Sequence, residues 1–149
     1  MDFGIWKFRF VDPYRQKILD HYRYPRQYGK LPGATHRASR SNPLCGDEVT
    51  VAVEVERGMV ADVRFTGRGC AITTAATSLL LETVVGKPVA VARRMAPPAV
   101  LKLLGTPITP ARHGCALLGF EALQAALAPR TERFLVTQKP LRRTSEGFG

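Results

Sequence analysis

Little in this chain is set aside for cross-linking or for crossing a membrane. Its three cysteines, Cys45, Cys70 and Cys115 in 149 residues, are odd in number and too widely spaced for a disulfide framework. They read as reduced thiols used for metal binding or thiol chemistry. No apolar run approaches the roughly 18 residues of a membrane span. The N-terminus has neither the apolar core nor the small-residue cleavage site of a secretory signal. A soluble, cytoplasmic protein with no membrane partner is expected. There is no internal repeat and no low-complexity block. Acidic residues are scarce, 12 against 22 Lys and Arg, and the formal charge is +10. The excess lies at the ends: residues 1–44 carry nine basic and three acidic side chains, 45–128 eight and seven, and 129–149 five and two. Solvated ends explain that pattern better than a nucleic-acid-binding face, so no nucleic-acid partner is expected.

What is present fits one globular domain: hydrophobic residues make up 45% and charged residues 23%. Residues 1–12 form an N-terminal extension in which Trp6, Phe8 and Phe10 alternate with basic residues, rings that should pack on something. Residues 13–128 form the domain, and 129–149 a basic, flexible tail. Asp12-Pro13 reads as an N-cap with Pro at the first helical position. The helix should end before Pro25, with Tyr14, Ile18, His21 and Tyr22 on one face. His21 there is expected to be packed and hydrogen-bonded rather than a ligand. Residues 33–42 are polar and predict at most a short edge strand.

Residues 48–56 alternate, with Val49, Val51, Val53 and Val55 on one side and Glu48, Thr50, Ala52, Glu54 and Glu56 on the other. Arg57-Gly58 predicts a tight turn and residues 59–66 a returning strand. After Gly67-Arg68-Gly69, a helix should start with Cys70 in its first turn and run to about Val85, with Gly86 as its left-handed terminator. Two short helical pieces, 88–95 and 97–104, should follow. After Ala111-Arg112-His113-Gly114-Cys115, an amphipathic helix spans 116–127.

The chemistry gathers around Cys45-Gly46-Asp47. A thiol and a carboxylate separated by a hinge glycine, just after Asn42-Pro43, stand where a loop enters a strand. Cys70 and Cys115 each stand at a helix start, where unpaired N–H groups and the helix dipole favour an anion. A thiolate is the form of sulfur that ligates metal or attacks another sulfur. An antiparallel hairpin brings the start of its first strand and the end of its second to one end of the sheet. Cys45, Asp47 and Cys70 therefore meet there, and Cys115 joins them if its helix docks alongside. Cys45, Asp47, Cys70 and Cys115 make a four-coordinate Cys₃Asp site. Thiolates select zinc, copper(I) or iron–sulfur species. The single carboxylate is a harder and weaker partner for iron in a sulfide cluster, which favours a labile site.

Four segments, residues 14–26, Asn42-Pro43-Leu44-Cys45-Gly46-Asp47, residues 65–72 around Gly67-Arg68-Gly69-Cys70, and residues 112–118 around Cys115, resemble the IscU/NifU N-terminal/SufU family of iron–sulfur cluster assembly scaffolds. The resemblance implies an α+β fold, a small three-stranded antiparallel sheet with helices packed on one face. It implies a non-enzymatic scaffold that takes sulfur from a pyridoxal-phosphate-dependent cysteine desulfurase, assembles a transient [2Fe–2S] cluster and passes it to apo iron–sulfur proteins. The cluster or metal ligands would be Cys45, Asp47, Cys70 and Cys115, in a monomer or weak homo-oligomer. Cys115 matches the persulfide acceptor of the IscU branch. Cys45 matches that of the SufU branch, whose members hold zinc at rest and act as sulfurtransferases. Three features differ from the branches. Gly114 stands where IscU proteins have His, with His113 one residue earlier. Ile108-Thr109-Pro110-Ala111-Arg112 replaces the Leu-Pro-Pro-Val-Lys segment read by a dedicated Hsp70 chaperone. The SufU insertion before Arg112 is missing.

Overall fold

A computed structural model describes residues 13–44, 46–105 and 107–128. The aromatic N-terminal segment, the Asp12 cap, Cys45 and the basic tail lie outside the described residues. The order is α1 (Pro13–Arg23), β1 (His36–Asn42), β2 (Asp47–Glu56), β3 (Met59–Arg68), α2 (Ala71–Val84), α3 (Val89–Arg94), α4 (Pro97–Leu104), a 3₁₀ turn at Pro110–Arg112 and α5 (His113–Leu127). No described helix is long and apolar enough to cross a membrane.

The three strands form one antiparallel sheet in the order β1-β2-β3. Alternation decides its faces. Val49, Val51 and Val53 of β2, with Val63 and Phe65 of β3, are buried against Leu80, Leu81, Leu118 and Leu123 in one core. Asp47 has the same parity as these valines, so its side chain also points to the helix side. The Arg57-Gly58 turn has positive φ at both residues, 53° and 76°, the primed geometry whose twist suits a hairpin. A register shift between Glu54 and Val55 leaves Val55 only half-buried.

Helix α5 lies against β1 and β2, and α2 packs on α5 and α1. A second apolar cluster joins Ile18, Ala75, Ala76, Leu79, Leu104 and Ala116. Gly119 lets α5 lie close on α2: a Cβ there would collide with Thr77, falling 2.8 Å from Thr77 Cβ. The guanidinium of Arg93 in α3 donates to the carbonyl of Leu127, the last of α5, at 2.7 Å, a favourable place for a cation.

Three expectations are corrected. Tyr22 does not join the inward face of α1; it is 45% exposed, whereas Ile18 and His21 are buried. Position 22 lies one residue beyond His21, about 100° around the helix, which turns it off the contact with α2. Polar residues 36–42 form a full seven-residue strand, because an edge strand is held through its backbone pairs with β2 and needs little apolar pattern. Ala52, on the far face of the sheet, is buried. Residues 27–29 pair with β3 through Phe65, and Thr35 bonds Val53 beyond them; the connecting segment, with buried Leu31, crosses that face.

Candidate metal centre

The β1–β2 connection aims the first ligands. Asn42 Oδ1 accepts the N–H of Leu44 at 3.0 Å, and the Asn42 carbonyl accepts the N–H of Gly46 at 2.8 Å. Gly46 closes the turn at φ 73°, a left-handed conformation that a side chain disfavours. Asp47 then opens β2 opposite Asn42, and it is only 6% exposed.

Cys70 is the N-cap of α2, with extended backbone at φ −72° and ψ 175°. It is thus one position earlier than the first-turn placement expected from sequence. Its own side chain makes no capping hydrogen bond. The cap comes from β2: one oxygen of Asp47, Oδ2, accepts the N–H of Cys70 at 3.3 Å and the hydroxyl of Thr73 at 2.5 Å. A carboxylate at a helix N-terminus satisfies donors that would otherwise be orphaned and lies at the positive end of the dipole. Thr73 Oγ1 is also 3.5 Å from Cys70 Sγ. Because its one proton is given to Asp47, that hydroxyl can only accept from the thiol. Gly69 leaves the space for this cluster, since a Cβ there would lie 2.8 Å from Thr73 Cγ2 and 3.2 Å from Asp47 Cγ.

Helix α5 begins three residues earlier than the sequence pattern suggests, so Cys115 lies inside its first turn and is 6% exposed. Gly114 sits against the β1–β2 connection; a Cβ would be 3.2 Å from Asn42 Nδ2. The ligand atoms of Asp47, Cys70 and Cys115 all lie within 4.8 Å of one another. Tetrahedral zinc with Zn–S bonds near 2.3 Å puts sulfurs about 3.8 Å apart. The three groups would close by about 1 Å to bind. Two sulfurs and a carboxylate suit zinc or iron in character, and both cysteines are thiols. Cys45, two residues before Asp47, lies outside the described residues.

His113 is not part of this group: its ring nitrogen Nε2 donates to the carbonyl of Ile108 at 2.9 Å, which ties it to the preceding loop. His21, on α1, is buried against α2 away from the cysteines, with Nδ1 2.7 Å from Ser78 Oγ. That hydroxyl also accepts the N–H of Arg26 at 2.8 Å. Burial, then the positive charge of Arg26, lowers the His21 pKa below 6.5. Thr73 was not among the residues singled out from sequence. Its only signal is its place three residues after Cys70, the helix position whose side chain faces back to the cap.

Residues 13–135 match the NifU-like N terminal domain family. The chain is 36% identical over 116 residues to the iron–sulfur cluster assembly scaffold protein IscU of Aquifex aeolicus, covering 76% of this chain and 73% of the relative. It is 30% identical over 132 residues to the zinc-dependent sulfurtransferase SufU of Bacillus subtilis, covering 77% and 89%. The crystal structure of a nitrogen-fixing NifU-like protein (N-terminal) from Brucella abortus superposes with a TM-score of 0.66 at 25% identity, covering 80% of this chain and 95% of that one. The three-stranded sheet with its helices is therefore the fold of these proteins, and the chain belongs to the NifU-like N-terminal domain family.

Proposed function

We propose that this chain is an iron–sulfur cluster assembly scaffold. It accepts sulfur from a pyridoxal-phosphate-dependent cysteine desulfurase, builds a labile [2Fe–2S] cluster on Cys45, Asp47, Cys70 and Cys115, and passes it to apo iron–sulfur proteins. The observation that carries the reading is the convergence of Asp47, Cys70 and Cys115 within 4.8 Å at one end of the sheet. The scaffold relative from Aquifex aeolicus supports it. The cytoplasm, where thiols stay reduced, suits such a site.

Sulfur enters by thiol exchange. A thiolate of this chain attacks the outer sulfur of the desulfurase persulfide, that S–S bond breaks, and the desulfurase thiolate leaves. Two electrons from an external thiol or ferredoxin then release the sulfur as sulfide and restore the cysteine thiolate. Cys115 and Cys45 are the acceptor candidates. Cys115 is buried, so the site must open before a partner reaches it. Leu44 and Gly46, in the connection that carries Cys45, are exposed. Asp47 serves release. Its Oδ2 is already engaged by two donors, which draws charge from the carboxylate and weakens its hold on iron.

The second reading is a zinc-dependent sulfurtransferase that stimulates the desulfurase and builds no cluster. The donor set of two sulfurs and a carboxylate, which zinc takes tetrahedrally, favours it, as does the relative from Bacillus subtilis. Anaerobic reconstitution with desulfurase, cysteine and ferrous iron separates the two. A chromophore transferable to an apo-ferredoxin supports the scaffold. Zinc-dependent stimulation of the desulfurase with no chromophore overturns it in favour of the transferase.

A further inference from the structure

The face of the sheet turned away from the cysteines holds a feature that cluster assembly does not use. Across the three strands, one row reads Arg37, Ala52, Arg64 and the next reads Ser39, Thr50, Thr66. A small side chain between two arginines leaves a trough. Lys30, on the segment that crosses this face, forms part of its wall. The trough has a volume of about 490 Å³ and opens to solvent. Lys30, Arg37 and Arg64 line it with the hydroxyls of Thr50 and Thr66, and among the described residues no acidic side chain does.

Arg64 adds a second observation, a guanidinium whose hydrogen bonding is incomplete. Its Nη2 lies 3.3 Å from Asp62 Oδ2, yet its Nε–H is buried with no hydrogen-bond partner among the described residues. A buried donor without an acceptor is costly, and native structures rarely leave one so. Two strand spacings separate Arg37 from Arg64, so their backbones stand about 10 Å apart. Long side chains leaning inward would grip acid groups somewhat closer together than that. Asp62 offsets one charge and Glu54, beside Gly33 on the same face, lies at the margin, so the lining itself keeps a net positive charge.

We propose that this trough binds a small organic anion bearing two acid groups, one held by Arg64 with Thr50 and Thr66, the other by Arg37 with Lys30. Carboxylate and phosphate share the required chemistry, planar or tetrahedral oxygens that a guanidinium can grip in pairs. The sheet lies between the trough and the cysteine pocket, so the site is separate from that of the cluster.

Titrating the full-length chain at low salt with suberate, with 1,6-hexanediol bisphosphate and with inorganic phosphate tests this by calorimetry and amide NMR. At least one two-headed anion should bind at sub-millimolar concentration, and which one does identifies the acid group. That anion should bind about tenfold or more tighter than inorganic phosphate, in line with a second ion-paired head at about 1.4 kcal/mol per tenfold. Shifts should fall at Arg37, Thr50, Arg64 and Thr66. Arg37→Gln and Arg64→Gln should each weaken binding about tenfold, while Arg94→Gln on α3 should leave it unchanged. Arg37 is exposed on an edge strand, so its variant keeps the fold even if Arg64→Gln does not. Equal affinity for all three anions, equal loss in Arg94→Gln, no binding up to about 10 mM, or binding only by a Glu-rich peptide would each overturn the proposal.

Discussion

Thr73 and Asp47, 26 residues apart in the chain, are joined by a 2.5 Å hydrogen bond from the threonine hydroxyl to Oδ2. The same oxygen takes the N–H of Cys70. One carboxylate thus caps a helix and stands among the sulfurs of a candidate metal centre.

Replacing Thr73 by Val keeps the shape and removes the donor. Partners that orient a ligating group are commonly worth about 10- to 100-fold in metal affinity. Thr73→Val should weaken zinc binding by that amount in a chelator-competition titration while the helical circular dichroism is kept. Unchanged affinity would show that Asp47 needs no orientation from Thr73.

Changing Asp47 itself separates its two roles. Asp47→Ala should lower stability by about 1 kcal/mol through loss of the cap, read as a lower urea midpoint. Asp47→Cys should slow transfer of a reconstituted cluster to apo-ferredoxin, because a fourth thiolate replaces the weak ligand. Faster transfer from the Asp47→Cys protein would falsify the release role.

Gly119 sets how closely α5 can lie on α2, and so how closely Cys115 approaches Cys70. Gly119→Ala should cost about 1–3 kcal/mol by overpacking against Thr77, although alanine is the better helix former. A drop in melting temperature should be accompanied by weaker zinc binding, and Thr77→Ala should restore part of both. A Gly119→Ala protein as stable as the parent would mean that the helices can part without consequence.

His21 makes stability pH-dependent. Burial and Arg26 hold its folded pKa below 6.5, so between those two values the unfolded chain binds the extra proton. Stability contributed by neutral His21 is therefore fully present above pH 6.5 and falls as pH drops below it, by at most about 1.4 kcal/mol per unit. Groups facing it act both ways: Glu82 and Asp20 raise its pKa, Lys17 lowers it. Urea midpoints of the metal-free protein from about pH 7.5 to about 5.5 should show the fall, and His21→Gln should flatten it. A parent curve as flat as that of the variant would remove His21 as the cause.

Much of the fold could be read directly from local pattern. The valine alternation of 49–53 makes a strand whatever surrounds it, and Arg57-Gly58 makes its turn. Proline and glycine mark the helix ends at Pro97 and Gly105, where φ is 73°. These are short-range effects of backbone sterics and side-chain period, so the order of residues is enough to decide them. The placement of thiols at helix starts was legible for the same reason.

Tertiary structure decided what local pattern cannot express. Ala52 and Tyr22 exchange their expected exposures because burial depends on what crosses a face, here the segment around Leu31 and the limit of contact between α1 and α2. Thr73, and the Arg64 nitrogen that has no partner among the described residues, gain their meaning from residues on other elements. Above all, the chain order of Asp47, Cys70 and Cys115 names the donors but carries no distance between them. That distance comes from antiparallel pairing at one end of the sheet and from Gly119 admitting Thr77, contacts whose energy exists only once the helices have packed.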